Sequence, residues 1–184
     1  MSYDRDPLEI LLELRSAPAR APMSALAQEF GFSLLPHEQI PEDAFNELLT
    51  MLESPEFLAA EESWKLVNQL RINWHLSSDA QHAALRPLLI RVFDRFVDST
   101  GAMVIAEILG ESFCDEEAVQ QLAQLATQAR MPARALAPYG LGVLARTTPD
   151  TSLRQRALGR LRLLEKDRVL EVRDEAIRAL AKYG

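Results

Sequence analysis

The last eighteen residues, DRVLEVRDEAIRALAKYG from Asp167 to Gly184, constrain the fold more than any other stretch. Val169, Val172, Ala176, Ala179, Leu180 and Tyr183 recur at helical spacing on one stripe, while Glu171, Asp174, Glu175, Arg178 and Lys182 lie off it. A helix this short cannot bury such a stripe by itself, so the rest of the chain has to supply helices for it to stack on.

The remainder is suited to that task. Ala, Leu, Glu, Gln and Arg dominate, β-branched residues are sparse, and helix starts are legible along the whole chain. Asp6-Pro7-x-Glu9 places an acceptor at a cap, a proline in the first turn and a glutamate three residues after the cap. Ser54-Pro55-Glu56 repeats the cap and proline, Ser78-x-x-Gln81 is a capping box, and Pro41-Glu42-Asp43 and Asp115-Glu116-Glu117 set acids where helix dipoles favour them. Pro132 and Pro149 mark two more starts. These signals predict helices at about 7–17, 22–30, 41–53, 55–75, 78–98, 101–112, 115–130, 132–146, 151–166 and 168–183, with 31–40 irregular. No stretch reads as a strand ladder, so the expected fold is all-α.

Val-Arg-Asp-x-Ala-x-x-Ala-Leu following an Asp resembles the second helix of a HEAT-type repeat. RMPARALAPYGLGVLAR (130–146) lies over EVRDEAIRALAKYG at an offset of thirty-nine residues, pairing Arg134 with Arg173, Ala137 with Ala176 and Leu141 with Leu180. Pro138 is expected to kink the earlier copy or shift its start. The resemblance covers about 115–184 and implies stacked antiparallel helix pairs, a HEAT-like α-solenoid, with an irregular helical bundle as the alternative. It frames residues 1–184 as a single all-α domain. In it, 1–98 form an N-terminal bundle or divergent repeats, and 101–184 form HEAT-like pairs.

Charge is unevenly distributed. Residues 1–145 hold 10 Lys and Arg against 21 Asp and Glu, whereas 146–184 hold 10 against 6, for a net −7. Such acidity weighs against wrapping nucleic acid along the whole length, but it leaves a basic tail that can steer a charged partner. One cysteine, Cys114, excludes an internal disulfide framework. The start MSYDRDPLEILLELR lacks a basic segment followed by an apolar core, and apolar runs are short, so no secretory signal or membrane span is expected. The expectation is a cytoplasmic protein.

Catalytic chemistry finds little support. His75, Asp79 and His82 are metal-ligand types at a helix junction, but they match no helical metal signature, and paired His-Glu motifs of HEAT-repeat hydroxylases are missing. SALAQEFGFS (24–33) resembles the first helix and turn of a helix-turn-helix, yet Leu34-Leu35-Pro36-His37 follows where a recognition helix is required. Cys114 has no neighbouring base, and Asp115 to Glu117 would raise its pKa while a helix N-terminus would lower it. No phosphate loop or nucleophile elbow appears, and no cofactor is expected.

The reading that remains is a non-catalytic protein–protein interaction module, such as a bacterial adaptor or an immunity protein that inhibits a toxin or enzyme. The candidate partner-binding residues are Trp64, Arg71 and His75, which at i, i+7 and i+11 share a face of the fourth expected helix; Glu111, Glu116 and Glu117 in the acidic cluster; and Arg154, Arg162 and Arg173 in the basic tail. The alternative is nucleic-acid binding in the manner of HEAT-like DNA glycosylases, with Arg154, Arg156, Arg160, Arg162 and Arg173 on phosphates.

Overall fold

The computed structural model describes residues 5–16 and 23–184. The described residues are all-helical, with eleven α-helices and no strand. They divide into two compact units, Met1–Gly101 and Ala102–Gly184.

In the first unit, α1 (Pro7–Ser16), α2 (Met23–Ser33), α3 (Glu42–Glu53), α4 (Pro55–Leu58), α5 (Trp64–Ile72) and α6 (Asp79–Val92) surround a core that includes Ile10, Leu14, Phe30, Leu48, Leu52, Leu66, Leu70 and Leu89. The caps read from the sequence form. Asp6 Oδ1 accepts from Leu8 N at 2.9 Å, and Ser54 Oγ accepts from Phe57 N at 3.3 Å. Ser78 and Gln81 exchange both bonds of a capping box, and the Gln81 amide also donates to the Ile40 carbonyl at 3.0 Å. That last bond anchors the irregular segment before α3.

Two long helices expected from periodicity are shorter. The 55–75 stretch is broken into α4, α5 and a 3₁₀ turn at Trp74–Leu76, with Glu62 in the left-handed region at φ 64°. The break lets Phe57 and Leu58 face the same core as Leu66, Val67 and Leu70. The 78–98 stretch ends as α6 at Val92, and after a short turn Asp98 accepts from Thr100 N (2.8 Å) and Thr100 Oγ1 (2.7 Å) at the start of the next helix.

α7 (Thr100–Glu107) begins at the unit boundary and passes into a π-helical turn, Ile108–Phe113, closed by Cys114 at φ 45°. The second unit continues with α8 (Glu116–Gln128), a 3₁₀ turn (Ala133–Leu136), α9 (Ala137–Thr147), α10 (Thr151–Leu164) and α11 (Leu170–Tyr183). Pro138 falls in the first turn of α9, so it shifts the start of this helix rather than kinking it. α9 packs against α8, α10, α11 and the π turn, and Ala137, Pro138 and every residue from Gly140 to Ala145 are buried. Arg134 ties the unit together: its Nε donates to the Ala126 carbonyl at 2.7 Å, and its guanidinium reaches both oxygens of Asp167 at 3.1 and 3.2 Å. Asp167 in turn accepts from Val169 N at 2.8 Å and sets the start of α11.

Glycine makes the closest contacts of α9 feasible. A Cβ on Gly140 would lie 2.9 Å from the Ala106 carbonyl oxygen and 2.6 Å from Leu122 Cδ2, whereas a Cβ on Gly159 of α10 meets nothing within 4 Å. Alanine at the two positions is therefore expected to act with opposite signs. Gly140→Ala should destabilise by about 1–3 kcal/mol through overpacking, and Gly159→Ala should stabilise by about 0.5–1 kcal/mol through helix propensity. Urea midpoints at unchanged m-value measure both, and a stabilising Gly140→Ala would contradict this packing.

Candidate functional site

The sequence candidates fall in both units and behave differently in each. In the first unit, α5 ends at Ile72, so Trp64 and Arg71 share a helix while His75 stands exposed on the following 3₁₀ turn. Trp64 is half-buried, its indole donates to the Asp98 carboxylate, and the Lys65 ammonium lies 5.7 Å from its ring centre. Arg71 Nε donates to Asn68 Oδ1 at 3.3 Å. These three residues are thus not one continuous stripe. Their neighbour Trp74 stacks on His82, with ring centres 4.3 Å apart, and His82 Nε2 approaches the Trp74 carbonyl at 3.3 Å. Among the described residues, no group of three or more His, Cys, Asp and Glu is placed to hold a metal ion.

The helix-turn-helix resemblance at 24–33 is resolved by α2, which continues through Gly31 to Ser33. Gly31 does not make a turn; its missing Cβ leaves room for Gln69 where α2 packs on α5. A depression of about 450 Å³ opens in this unit between Pro7, Pro36, Pro41, His37 and Asp43. Its arginine, Arg5, is held by Glu13 at 2.7 Å and Glu29 at 3.3 Å.

In the second unit the acidic candidates are engaged. Glu111 lies 4.0 Å from Arg146, Glu116 pairs with Arg156, and Glu117 accepts from Gln121 at 2.8 Å. Asp115 is the cap of α8, accepting from Ala118 N at 2.8 Å. Beside them, Tyr139 donates to Glu107 at 2.7 Å, and the Tyr183 ring lies below Arg146 and Lys182 at 5.7 and 5.1 Å. Sequence reasoning missed Glu107, Tyr139, Arg146 and Tyr183 as a group, because the π turn that brings Glu107 and Glu111 to α9 has no sequence signal. Burial, then the bond to Glu107, pushes the Tyr139 phenol well above its ordinary range. Burial also pushes the Cys114 thiol up; a hydrogen bond with Thr148 draws it back and Asp115 adds to the rise. A thiol in that state is not an activated nucleophile.

The basic candidates divide into bound and unpaired groups. Arg154 donates to the Tyr183 carbonyl at 3.2 Å, and Arg156 is paired with Glu116. By contrast, Arg160, Arg162, Lys166, Arg168 and Arg173 make no ion pair with any described residue. Arg160, Arg162, Lys166 and Arg168 are exposed and Arg173 half-buried. What this arrangement offers chemically is a local surplus of positive charge among the described residues.

Compared with known proteins, the chain matches no family model, and no curated protein or solved structure is significantly similar to it. Among the described residues, no helix is long and apolar enough to cross a membrane.

The Tyr139 shift has a definite consequence for stability. A phenol whose folded pKa is raised keeps its proton where the unfolded chain loses it, so its contribution is complete below pH ~10 and declines as pH rises beyond that value. Tyr139→Phe is expected to abolish the latest step of the phenolate absorbance titration and to flatten the alkaline fall in melting temperature. Loss of amplitude near pH ~10, with the latest step left intact, would mean that Tyr139 ionises like an exposed tyrosine.

Proposed function

We propose that the chain is a non-catalytic protein–protein interaction module, a scaffold of HEAT-like helix pairs that holds a protein partner. The observation that carries this reading is the set of cations on and after α10 that pair with no described residue, on a unit most of whose acidic side chains are taken up by caps and internal pairs, Glu165, Glu171 and Asp174 excepted. Stacked helix pairs present long, rigid faces, and an uncompensated charged face lowers in energy when a partner neutralises it. The order α8, α9, α10, α11, with short connections and α9 covered by the other three, supports reading this unit as HEAT-like pairs. Within the class we favour a cytoplasmic bacterial adaptor or an immunity-type inhibitor of a toxin or enzyme, on the strength of size, acidity and Arg-rich, Lys-poor composition.

The same unpaired cations favour a second reading, binding of nucleic acid at the basic C-terminal helices. The net charge of −7 opposes it. Native co-purification from the source cells separates the two. One protein recovered in a stable, near-stoichiometric complex through size-exclusion chromatography is the expected result, and recovery of no protein partner would sink the first reading. Fluorescence anisotropy with a labelled duplex across a salt series addresses the second, which ends if no binding occurs at low salt.

A further inference from the structure

The solvent face of α10 combines three features. Leu153, Ala157, Leu158, Leu161 and Leu164 are buried. At helical spacing the opposite side carries two adjoining rows, Gln155–Gly159–Arg162 and Arg156–Arg160–Leu163, with Lys166 just beyond the helix end. First, Arg160, Arg162 and Lys166 are exposed and make no ion pair with any described residue. Second, Leu163 is 65% exposed amid these cations. Third, Gly159 sits at the centre of the face, where an added Cβ would meet nothing within 4 Å. Nothing inside the protein requires that glycine, and it weakens an exposed helix. It leaves bare backbone that another chain can approach closely.

Resting on the reading of the chain as a protein-binding module, we propose that this face of α10 docks an acidic, amphipathic segment of the partner protein. Carboxylates of that segment meet Arg160, Arg162 and Lys166, and an aliphatic side chain covers Leu163 and the backbone at Gly159. Charge complementarity identifies the acid. Leu163 and Gly159 favour a polypeptide over nucleic acid, because an apolar contact and close backbone approach have no counterpart on a phosphate strand. The strip is also short. Arg160 and Lys166 are six residues apart, a rise of about 9 Å at helical spacing, which carboxylates at i and i+7 of a partner helix, about 10 Å apart along its axis, can match. Glu165, half-buried, limits the positive region at its far end, next to Lys166 in the chain. A long polyanion would in addition meet a chain of net charge −7.

The test is a selection of sixteen-residue peptides from a phage-displayed random library on the full-length chain, followed by affinity measurements on variants. Selected peptides should be enriched in Asp and Glu spaced with Leu or Ile. They should bind R160E/R162E at least tenfold more weakly, and R162E several-fold more weakly, while R95E, a control with the same charge change as R162E, stays within twofold. Gly159→Gln supplies a second, independent readout, because it should raise the melting temperature and still weaken binding. The proposal is overturned if no acidic peptides are selected, if they bind R160E/R162E as tightly as the wild type, or if a labelled DNA duplex binds the face more tightly than the best peptide at physiological salt. Each of these leaves native co-purification to decide separately whether the chain binds a protein at all.

Discussion

A helix surrounded on every side has to surrender side-chain volume wherever another backbone crosses it, and α9 does so at Gly140 and Gly142. Gly140 receives the Ala106 carbonyl and Leu122, and Gly142 receives Ala179 and Tyr183. Gly110 on the π turn makes the reciprocal approach, with the Gly140 carbonyl where its Cβ would be. Helix propensity alone would disfavour two glycines in one eleven-residue helix. Burial of Leu141, Val143 and Leu144 among α8, α10 and α11 offsets that cost, since each fully buried aliphatic side chain contributes about 1.5–3 kcal/mol. The π turn follows from the same geometry: it carries Ile108 and Leu109 into the core while bringing Glu107 and Glu111 to the side of α9 that bears Tyr139 and Arg146.

Once α9 claims the interior, charge can only be sorted along the surfaces of its neighbours. Most pairs there are exposed, as Arg156 with Glu116 and Arg178 with Glu175 are, and such contacts stabilise by at most about 1 kcal/mol. Arg134 and Asp167 differ, with side chains only 21% and 13% exposed and four hydrogen bonds between them and the chain. That pair orders the turn before α11, so the Asp that opens the C-terminal sequence pattern is structural. The arginines and lysine that follow α10's core stripe have no such task. Arg160, Arg162 and Lys166 make no ion pair with any described residue.

Much of this was legible beforehand, and what was not has a common cause. Caps at Asp6, Ser54 and Ser78 depend on a side chain meeting a backbone N–H two or three residues on, which is local information. The break at Glu62, the π turn and the left-handed Cys114 depend on where distant apolar residues need to go; neither Glu62 nor Cys114 is a glycine, and Gly110 within the turn does not by itself specify a π turn. Gly31 misleads in the other direction, imitating a turn while serving a helix contact with Gln69. The candidate site divides the same way. The arginine-rich tail was visible as composition, but Arg154 bound to the end of α11 and Arg156 bound to Glu116 cannot be told from Arg160 and Arg162 without tertiary structure.

Two length scales then separate what approaches this protein from what stays. Residues 1–101 carry 8 Lys and Arg against 16 Asp and Glu, and residues 102–184 carry 12 against 11, so the long-range field is that of an acidic protein with one neutral part. At physiological salt that field decays over about 8 Å. Inside this distance the unpaired cations of α10 dominate over net charge, and beyond it they are outweighed. The partner proposed for α10 would satisfy both conditions if it were basic or neutral overall with a local acidic helix. A uniformly acidic partner meets only the second, and would associate slowly at low salt and faster as salt screens the repulsion.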